Sequence, residues 1–183
     1  MAFYADSQFP VREDLDTVHA AQVASLGAPG TWGTGAQHIA VAKATRKACI
    51  EAGLLEAPDE VAENETEAAL PRAVRDVIDK LAVSPATYAQ ADYEAALAGG
   101  LSDGEYVEVV GLVARMCDLD IFARGIGVPL RPLPEAAKPG RPTRQRPKTA
   151  VVEQAWVPTV PNPPAGGEDA KALDKGQQRP YII

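Results

Sequence analysis

Two cysteines and two histidines are the residues best suited to chemistry in this chain of 183 residues. Cys49 lies late in a predicted helix, where the negative end of the helix dipole opposes a thiolate, whereas Arg46 one turn earlier favours one. Because these effects roughly cancel, we interpret Cys49 as a small buried core residue, with a reactive thiol as the alternative. Cys117 has Asp118 and Asp120 nearby, so its thiol should resist ionisation and fill the core. A disulfide between Cys49 and Cys117 would require their two helices to pack directly, and a cytoplasmic setting argues against it.

His38 lies eleven residues before Cys49. On a helix this spacing is close to three turns, which puts both side chains on one face but about 16 Å apart. They therefore cannot act directly as a nucleophile and its base. We expect His38 to be packed or hydrogen-bonded to solvent, with a proton shuttle as the alternative. His19 is predicted on the exposed side of an amphipathic helix and has no role.

Acid or base catalysis would have to come from His38, Glu51 or Asp120. Asp120 and Arg124 are spaced for an ion pair between positions i and i+4 of the last helix, which is usually a surface or interhelical contact. An acidic run between positions 51 and 67 is typical of a solvated loop rather than a metal site. So few cysteines and histidines exclude a disulfide framework and a Cys/His zinc cluster, and we predict no metal and no cofactor.

The composition indicates that helices position these residues. Hydrophobic residues make up 46% of the chain and aromatic residues only 5%, which favours packed helices over a β-sandwich. Apolar periodicity and the glycines and prolines between segments predict five helices, over residues 12–26, 33–54, 71–83, 85–98 and 102–125. The prediction is an all-α bundle with a nonhelical C-terminal arm.

The strongest local signal is a capping box at the start of the last helix, formed by Ser102 and Glu105. Behind it we predict an apolar face that ends at Gly125, a left-handed stop, and that contains Val107, Val110, Val113, Cys117 and Ile121. In the first helix the same spacing predicts a stripe of Leu15, Val18 and Ala21 that Leu26 closes, and in the third helix a stripe of Val74, Val77, Ile78 and Leu81. Ser84 is predicted to cap the fourth helix, with Pro85 as its first residue.

Charge and proline content divide the chain near Arg131. Residues 1–130 hold 20 acidic and 9 basic side chains, for a net charge of −11, whereas residues 131–183 hold 5 acidic and 9 basic ones, for +4. Eleven of the sixteen prolines follow position 128. Proline interrupts helices, so we predict a helical domain over 1–130 and an extended, proline-rich arm over 131–183.

The arm is expected to bind protein. Its basic stretch has no interleaved aromatic residues for base stacking and follows an acidic body, which disfavours nucleic acid as the partner. A lone tryptophan in such an arm offers a large apolar area for docking. The predicted partner-binding residues are Trp156, Val157, Arg141, Arg144 and Arg146. No apolar run is long enough to span a bilayer and no signal peptide is evident, so we expect a cytoplasmic protein without a membrane partner.

Two stretches together resemble the carboxymuconolactone decarboxylase and AhpD-like alkyl hydroperoxidase superfamily, in its peroxidase-related branch. They are GTWGTGAQHIAVAKATRKA at residues 30–48 and GLSDGEYVEVVGLVARMCDLDIFARGIGVPLRPLPE at residues 100–135. The resemblance implies an AhpD-like helical bundle that assembles into oligomers. In redox-active members it implies a CxxC pair at a helix N-terminus, with a nearby histidine and glutamate, which reduces peroxides. It also implies that Asp120 and Arg124 line the pocket of the family.

The catalytic motif of that family is missing from this sequence. The segment ACIEAGLLEA contains Cys49 but no second cysteine three residues later and no histidine shortly after it. Peroxide reduction by this scheme needs one thiolate to attack and a second thiol to resolve the sulfenic acid. We therefore expect a noncatalytic subunit of a homo-oligomer, or of a hetero-oligomer with a related chain, whose arm docks on a partner. The alternative is a peroxidase-related or decarboxylase-type enzyme that uses a single thiol or acid/base residues.

Overall fold

The computed structural model describes residues 2–57, 69–137, 140–153 and 155–160. Within these ranges the regular structure is helical, and the single β-bridge joins Val151 to Thr159. This confirms the predicted all-α class. The helices are α1 (Glu13–Ser25), α2 (Gly35–Glu51), α3 (Arg72–Val83), α4 (Gln90–Ala98) and α5 (Asp103–Gly125), with a short 3₁₀ turn at Pro85–Thr87.

The core lies where α2, α3 and α5 pack against one another, with α4 against α3 and α5. Ile78 of α3 and Val113, Met116 and Leu119 of α5 are almost completely buried there. Helices α2 and α5 run side by side in the same direction. Their N-terminal halves are joined by a His38–Glu108 contact, and their C-terminal halves by Arg46–Asp120.

The buried faces of two helices differ from the predicted ones. On α5, Ile121 is exposed and Val107, Val110 and Cys117 are only partly buried. The buried face instead carries Tyr106, Val109, Leu112, Val113, Met116, Leu119, Asp120 and Ala123. The helix is apolar on most of its circumference, so spacing alone permits more than one face.

On α1 the predicted stripe is also wrong. Val18 and Ala21 are exposed, whereas His19, Val23 and Leu26 are buried. Val23 and Leu26 pack into the main core. His19 is covered by the N-terminal segment, which folds back onto α1 because the Asp16 carboxylate accepts hydrogen bonds from the Phe3 and Tyr4 amides. Spacing within α1 carries no information about that segment.

Two predicted helix boundaries also need correction. Ser84 makes no capping hydrogen bond, and the chain forms the 3₁₀ turn after it before α4 begins at Gln90. Beyond α5 the left-handed residue is Gly127, with φ of 71°, rather than Gly125. Gly127 closes the helix with its amide bonded to the Arg124 carbonyl.

The described part of the arm lies against the helices of its own chain. The Ala137 amide donates to the Gly27 carbonyl and the Arg144 amide to the Thr31 carbonyl. Further along, Val157 and Val160 are buried. The described residues of this segment therefore contain no helix and contact the body at these points.

The predicted capping box at α5 is confirmed. Ser102 Oγ accepts a hydrogen bond from the Glu105 amide at 3.2 Å, and the Glu105 carboxylate accepts from the Ser102 amide at 2.9 Å. A second box of this kind starts α2, where Thr34 and Gln37 bond reciprocally. The two long helices that form the core thus both begin at defined residues.

We predict that Ser102→Ala lowers the free energy of unfolding by about 1 kcal/mol, because it removes an acceptor for a helix N-terminal amide. Glu105→Ala acts on the same motif, so the double variant should lose less than the sum of the two. Chemical denaturation measures all three. Ser84→Ala is the matched control, since Ser84 is exposed and makes no cap, and it should be nearly neutral. Strictly additive losses would mean that the box does not act as a unit.

Candidate functional site

The most constrained polar group in the described structure is the carboxylate of Glu108, near the N-terminal ends of α2 and α5. Its Oε2 accepts hydrogen bonds from the amides of Thr31 at 2.9 Å and Trp32 at 3.0 Å. Its Oε1 accepts from the Gly33 amide at 2.6 Å and lies 2.8 Å from His38 Nε2. Four donors therefore surround one buried carboxylate.

Local sequence explains how this arrangement forms. Glu108 stands on the buried side of α5, and His38 stands in the first turns of α2. The loop before α2 presents its amides to the carboxylate and approaches so closely that a Cβ atom at Gly33 would lie 2.9 Å from Oε1. Gly104 of α5 similarly leaves room for the Trp32 ring, which a Cβ at that position would overlap. Glycine at both positions is required by close approach.

Hydrogen bonding overcomes burial at this carboxylate. Burial raises the pKa of Glu108. The hydrogen bonds from His38 and from the Trp32 and Gly33 amides lower this pKa by more than burial raises it, so the net shift is downward. A carboxylate has about four acceptor positions. All four are occupied by protein donors, and no free lone pair remains to accept a proton from a substrate.

A small cavity adjoins this pair. It has a volume of about 130 Å³, and its mainly apolar lining includes Val41, Leu70, Val74 and Leu112 beside His38. Ligand pockets are typically about 300–1,000 Å³. This cavity could admit only a small molecule.

The two thiols lie close together, which the sequence analysis did not foresee. Cys49 Sγ is 4.0 Å from Cys117 Sγ and 3.8 Å from the Ala82 carbonyl oxygen. The expectation that Cys49 has no second thiol near it therefore fails in three dimensions, because α2 and α5 pack directly against each other. Both cysteines are free.

Neither thiol is activated for nucleophilic chemistry. Burial raises the pKa of Cys49, the contact with the Cys117 thiol opposes part of this rise, and the Asp120 charge adds to the rise. Burial also raises the pKa of Cys117 to about 12, again with contributions from Cys49 and Asp120. Cys49 is 1% exposed, which agrees with its interpretation as a core residue. The expected stabilisation of a Cys49 thiolate by Arg46 is not found, because the Arg46 guanidinium pairs with a carboxylate instead.

The partner of that guanidinium is Asp120. Arg46 Nε and Nη2 each donate to the Asp120 carboxylate at 2.8 Å, and Nη2 also donates to the Arg131 carbonyl oxygen at 2.9 Å. This contact replaces the predicted pair of Asp120 with Arg124. Arg124 instead lines an open cleft of about 580 Å³ between the end of α5 and residues 55–57 of the acidic run. Most of that acidic run lies outside the described residues.

The remaining candidates lie apart from these contacts. Glu51 is exposed at the last turn of α2. His19, predicted to be exposed, is buried at 4% exposure and is bonded through Nδ1 to the Tyr4 hydroxyl at 2.9 Å. Its ring packs edge to face on the Phe122 ring, with 4.8 Å between the ring centroids. The residues named from sequence therefore occupy separate places, and no single pocket collects them.

The predicted partner-binding residues are divided between the body and the surface. Arg146 forms an ion pair with Asp103 at 2.6 Å, and the Trp156 ring stacks on Tyr93 at 6.5 Å between centroids while staying 42% exposed. Val157 is buried, whereas the side chains of Arg141 and Arg144 are exposed.

Sequence reasoning missed Glu108 entirely. The available signal was a lone acidic residue inside the apolar run YVEVVGLV, combined with a glycine-rich loop whose amides need acceptors. Among the described residues no group of three or more His, Cys, Asp or Glu side chains could hold a metal ion. In the same part of the chain no helix is both long and apolar enough to cross a membrane.

No protein-family model matches this chain, and neither the curated proteins nor the solved structures yield a significant match.

We predict that Glu108→Gln lowers the free energy of unfolding at pH 7 by about 3 kcal/mol. The amide of glutamine would place an N–H₂ group against backbone donors and would leave them unsatisfied in the interior. Glu51→Gln is the matched control, because Glu51 is exposed, and it should change the stability by less than about 0.5 kcal/mol.

The stability lost in Glu108→Gln should depend on pH. Since the folded-state pKa of Glu108 is lowered, its stabilisation is complete above the ordinary glutamate pKa of about 4.3 and is lost as the pH falls through the folded-state value. The stability difference between wild type and Glu108→Gln should therefore shrink below about pH 4. A difference that stays constant from pH 7 to pH 3 would show that the charge of Glu108 is not what the loop amides and His38 recognise.

Proposed function

We propose that this protein is a noncatalytic, AhpD-like subunit of a homo-oligomer, or of a hetero-oligomer with a related chain. In this proposal it works in the cytoplasm and binds protein through its proline-rich arm. The side chains that could perform chemistry instead hold α2, α5 and the loop before α2 together.

The observation that carries this proposal is the saturation of the Glu108 carboxylate. A general base needs a free lone pair aimed at its substrate, and four protein donors occupy the positions at which Glu108 could accept a proton. Asp120 is likewise engaged by the two nitrogens of Arg46. These two carboxylates act as structural acceptors.

The resemblance of residues 30–48 and 100–135 to the peroxidase-related branch of the AhpD-like superfamily supports an oligomer. In this chain the redox CxxC is absent, while the residues of those two stretches that cap and join the helices are present. Thr34 and Ser102 start the helices, and His38 and Glu108 link them. A chain that retains the contacts between its helices but lacks the catalytic thiol motif is suited to assembly rather than to catalysis.

The arm supplies a surface for a partner chain. Over the described residues it lies on its own body, yet three large apolar side chains stay exposed on it: Val151 at 44%, Val152 at 62% and Trp156 at 42%. Apolar side chains concentrated on one segment indicate a protein contact more strongly than single exposed ones do. The indole ring is also a frequent anchor of interfaces.

The thiol contact favours a second candidate function, a hydroperoxidase. With Cys117 Sγ 4.0 Å from Cys49 Sγ, a resolving thiol would be available despite the missing CxxC motif. The raised pKa of both thiols opposes this function, because only a thiolate attacks peroxide at a useful rate. Kinetics therefore separates the two candidates.

We predict that the purified protein does not reduce alkyl hydroperoxides with a dithiol at pH 7 faster than an equal concentration of a simple free thiol does. The measurement is peroxide consumption under steady-state conditions, with Cys49→Ser and Cys117→Ser as comparisons. Turnover well above the free-thiol rate, lost in both serine variants, would contradict a noncatalytic role and establish the second candidate.

We predict that the native mass is that of an oligomer and that Val152→Asp weakens self-association at least about tenfold. A charge at that position would have to be buried at the interface, and a valine contributes about 1.5 kcal/mol of apolar burial. Light scattering after size-exclusion chromatography, over a range of concentrations, measures this. Val18→Asp is the control, because Val18 is similarly exposed, at 49%, on α1. Equal weakening by both variants would refute the arm surface, and a one-chain mass for wild type at every concentration would refute self-assembly.

A further inference from the structure

The two cysteines are separated by 68 positions in sequence but lie on the facing sides of α2 and α5. The distance between their sulfur atoms is 4.0 Å, against about 2.05 Å for a disulfide bond. No other cysteine exists in the sequence to compete for either one.

We propose that Cys49 and Cys117 form a redox pair that a small hydroperoxide converts into an intramolecular disulfide between α2 and α5. The proposal does not depend on the noncatalytic role, since a subunit without turnover can still be oxidised once. It assigns a modification site with hydrogen peroxide, or an alkyl hydroperoxide of similar size, as the oxidant.

Exposure decides which thiol reacts first. Cys49 is 1% exposed and lies beneath the Ala82 carbonyl of α3, whereas Cys117 is only partly buried. On this difference in residue exposure we assign Cys117 as the thiol that reacts first with a hydroperoxide from solvent. Cys49 is then the resolving thiol, with its sulfur 4.0 Å away.

The reaction balances in two steps. The Cys117 thiolate attacks one peroxide oxygen, the O–O bond breaks, and the leaving hydroxide takes a proton, which gives water and a sulfenic acid on Cys117. The Cys49 sulfur then attacks the Cys117 sulfur, the S–O bond breaks, and a second water leaves with the Cys49 proton. Two thiols thus supply the two electrons that reduce one hydrogen peroxide to two waters.

The surroundings make the first step slow and the second step fast. The charged group that acts on both sulfurs is Asp120 of α5, and Arg46 of α2 is bound to that carboxylate. On the side of α3 the neighbour is the uncharged Ala82 carbonyl. Ionisation of Cys117 is therefore rare near neutral pH, but a sulfenic acid formed there already has its partner within 4.0 Å. Such a pair responds to sustained peroxide rather than to brief exposure.

The disulfide would change how the bundle is held together. At one end α2 and α5 are joined by His38 and Glu108, and at the other by Arg46 and Asp120. A covalent bond at the second end would restrict the unfolded chain across a loop of 68 positions. The oxidised protein should therefore melt at a higher temperature than the reduced one.

The test treats the full chain with hydrogen peroxide at pH 7, 8 and 9 and follows its intact mass and its tryptic peptides. We expect a loss of two hydrogens that a reductant reverses, together with a linked peptide pair that contains Cys49 and Cys117. The rate should rise about tenfold with each pH unit. The melting temperature of the oxidised protein should exceed that of the reduced one.

The serine variants test the order of the steps in the presence of dimedone, which traps sulfenic acids. Cys49→Ser should give a dimedone adduct on Cys117, whereas Cys117→Ser should leave Cys49 unmodified. Circular dichroism verifies that each variant is folded, and wild-type peptide mapping tests the disulfide independently of both. An adduct on Cys49 alone would reverse the assigned order. Overoxidation of Cys117 without a linked peptide, or a link between two chains, would overturn the proposal.

Discussion

A negative charge buried between the N-terminal ends of α2 and α5 is the constraint on which the rest of this structure depends. An unpaired carboxylate in the interior would cost several kcal/mol, so Glu108 must be surrounded by donors. The loop before α2 supplies three backbone amides and His38 supplies a ring nitrogen. That requirement fixes the path of the loop, the start of α2 and the contact of α2 with α5. It also removes the carboxylate from chemistry.

Local signals predicted the elements of the fold but not the faces that they bury. The capping box at Ser102 and the burial of Val74, Val77 and Ile78 on α3 correspond to the structure. The boundaries predicted from glycines and prolines do so only in part, since α4 begins at Gln90 and the left-handed residue after α5 is Gly127. The faces of α1 and α5 do not, for two different physical reasons. Helix α5 is apolar on most sides, and on α1 the polar residue His19 is covered by an N-terminal segment that the periodicity of α1 cannot reveal. Contacts between residues far apart in sequence determine which faces of α1 and α5 are buried.

The candidate site was less predictable than the fold, because its contacts join residues about 70 positions apart. The pairs His38–Glu108, Arg46–Asp120 and Cys49–Cys117 are separated by 70, 74 and 68 positions. Spacing within one helix predicted Arg124 as the partner of Asp120, and it placed no second thiol near Cys49. Because α2 packs on α5, Asp120 instead pairs with Arg46, and Cys117 lies next to Cys49. Two parallel helices offset by a nearly constant number of positions produce all three contacts. The same packing explains why these polar and sulfur-containing side chains tie helices together rather than line one pocket.

Amide hydrogen exchange in the loop before α2 tests this account most directly. The amides of Thr31, Trp32 and Gly33 have no backbone partner in a helix and donate to the Glu108 carboxylate instead. If that carboxylate holds the loop, these three amides should exchange as slowly as core amides of α5, because only a large opening of the bundle exposes them. Exchange at the rate of an unstructured loop, while α5 stays protected, would show that Glu108 does not hold the loop and would leave its carboxylate available for chemistry.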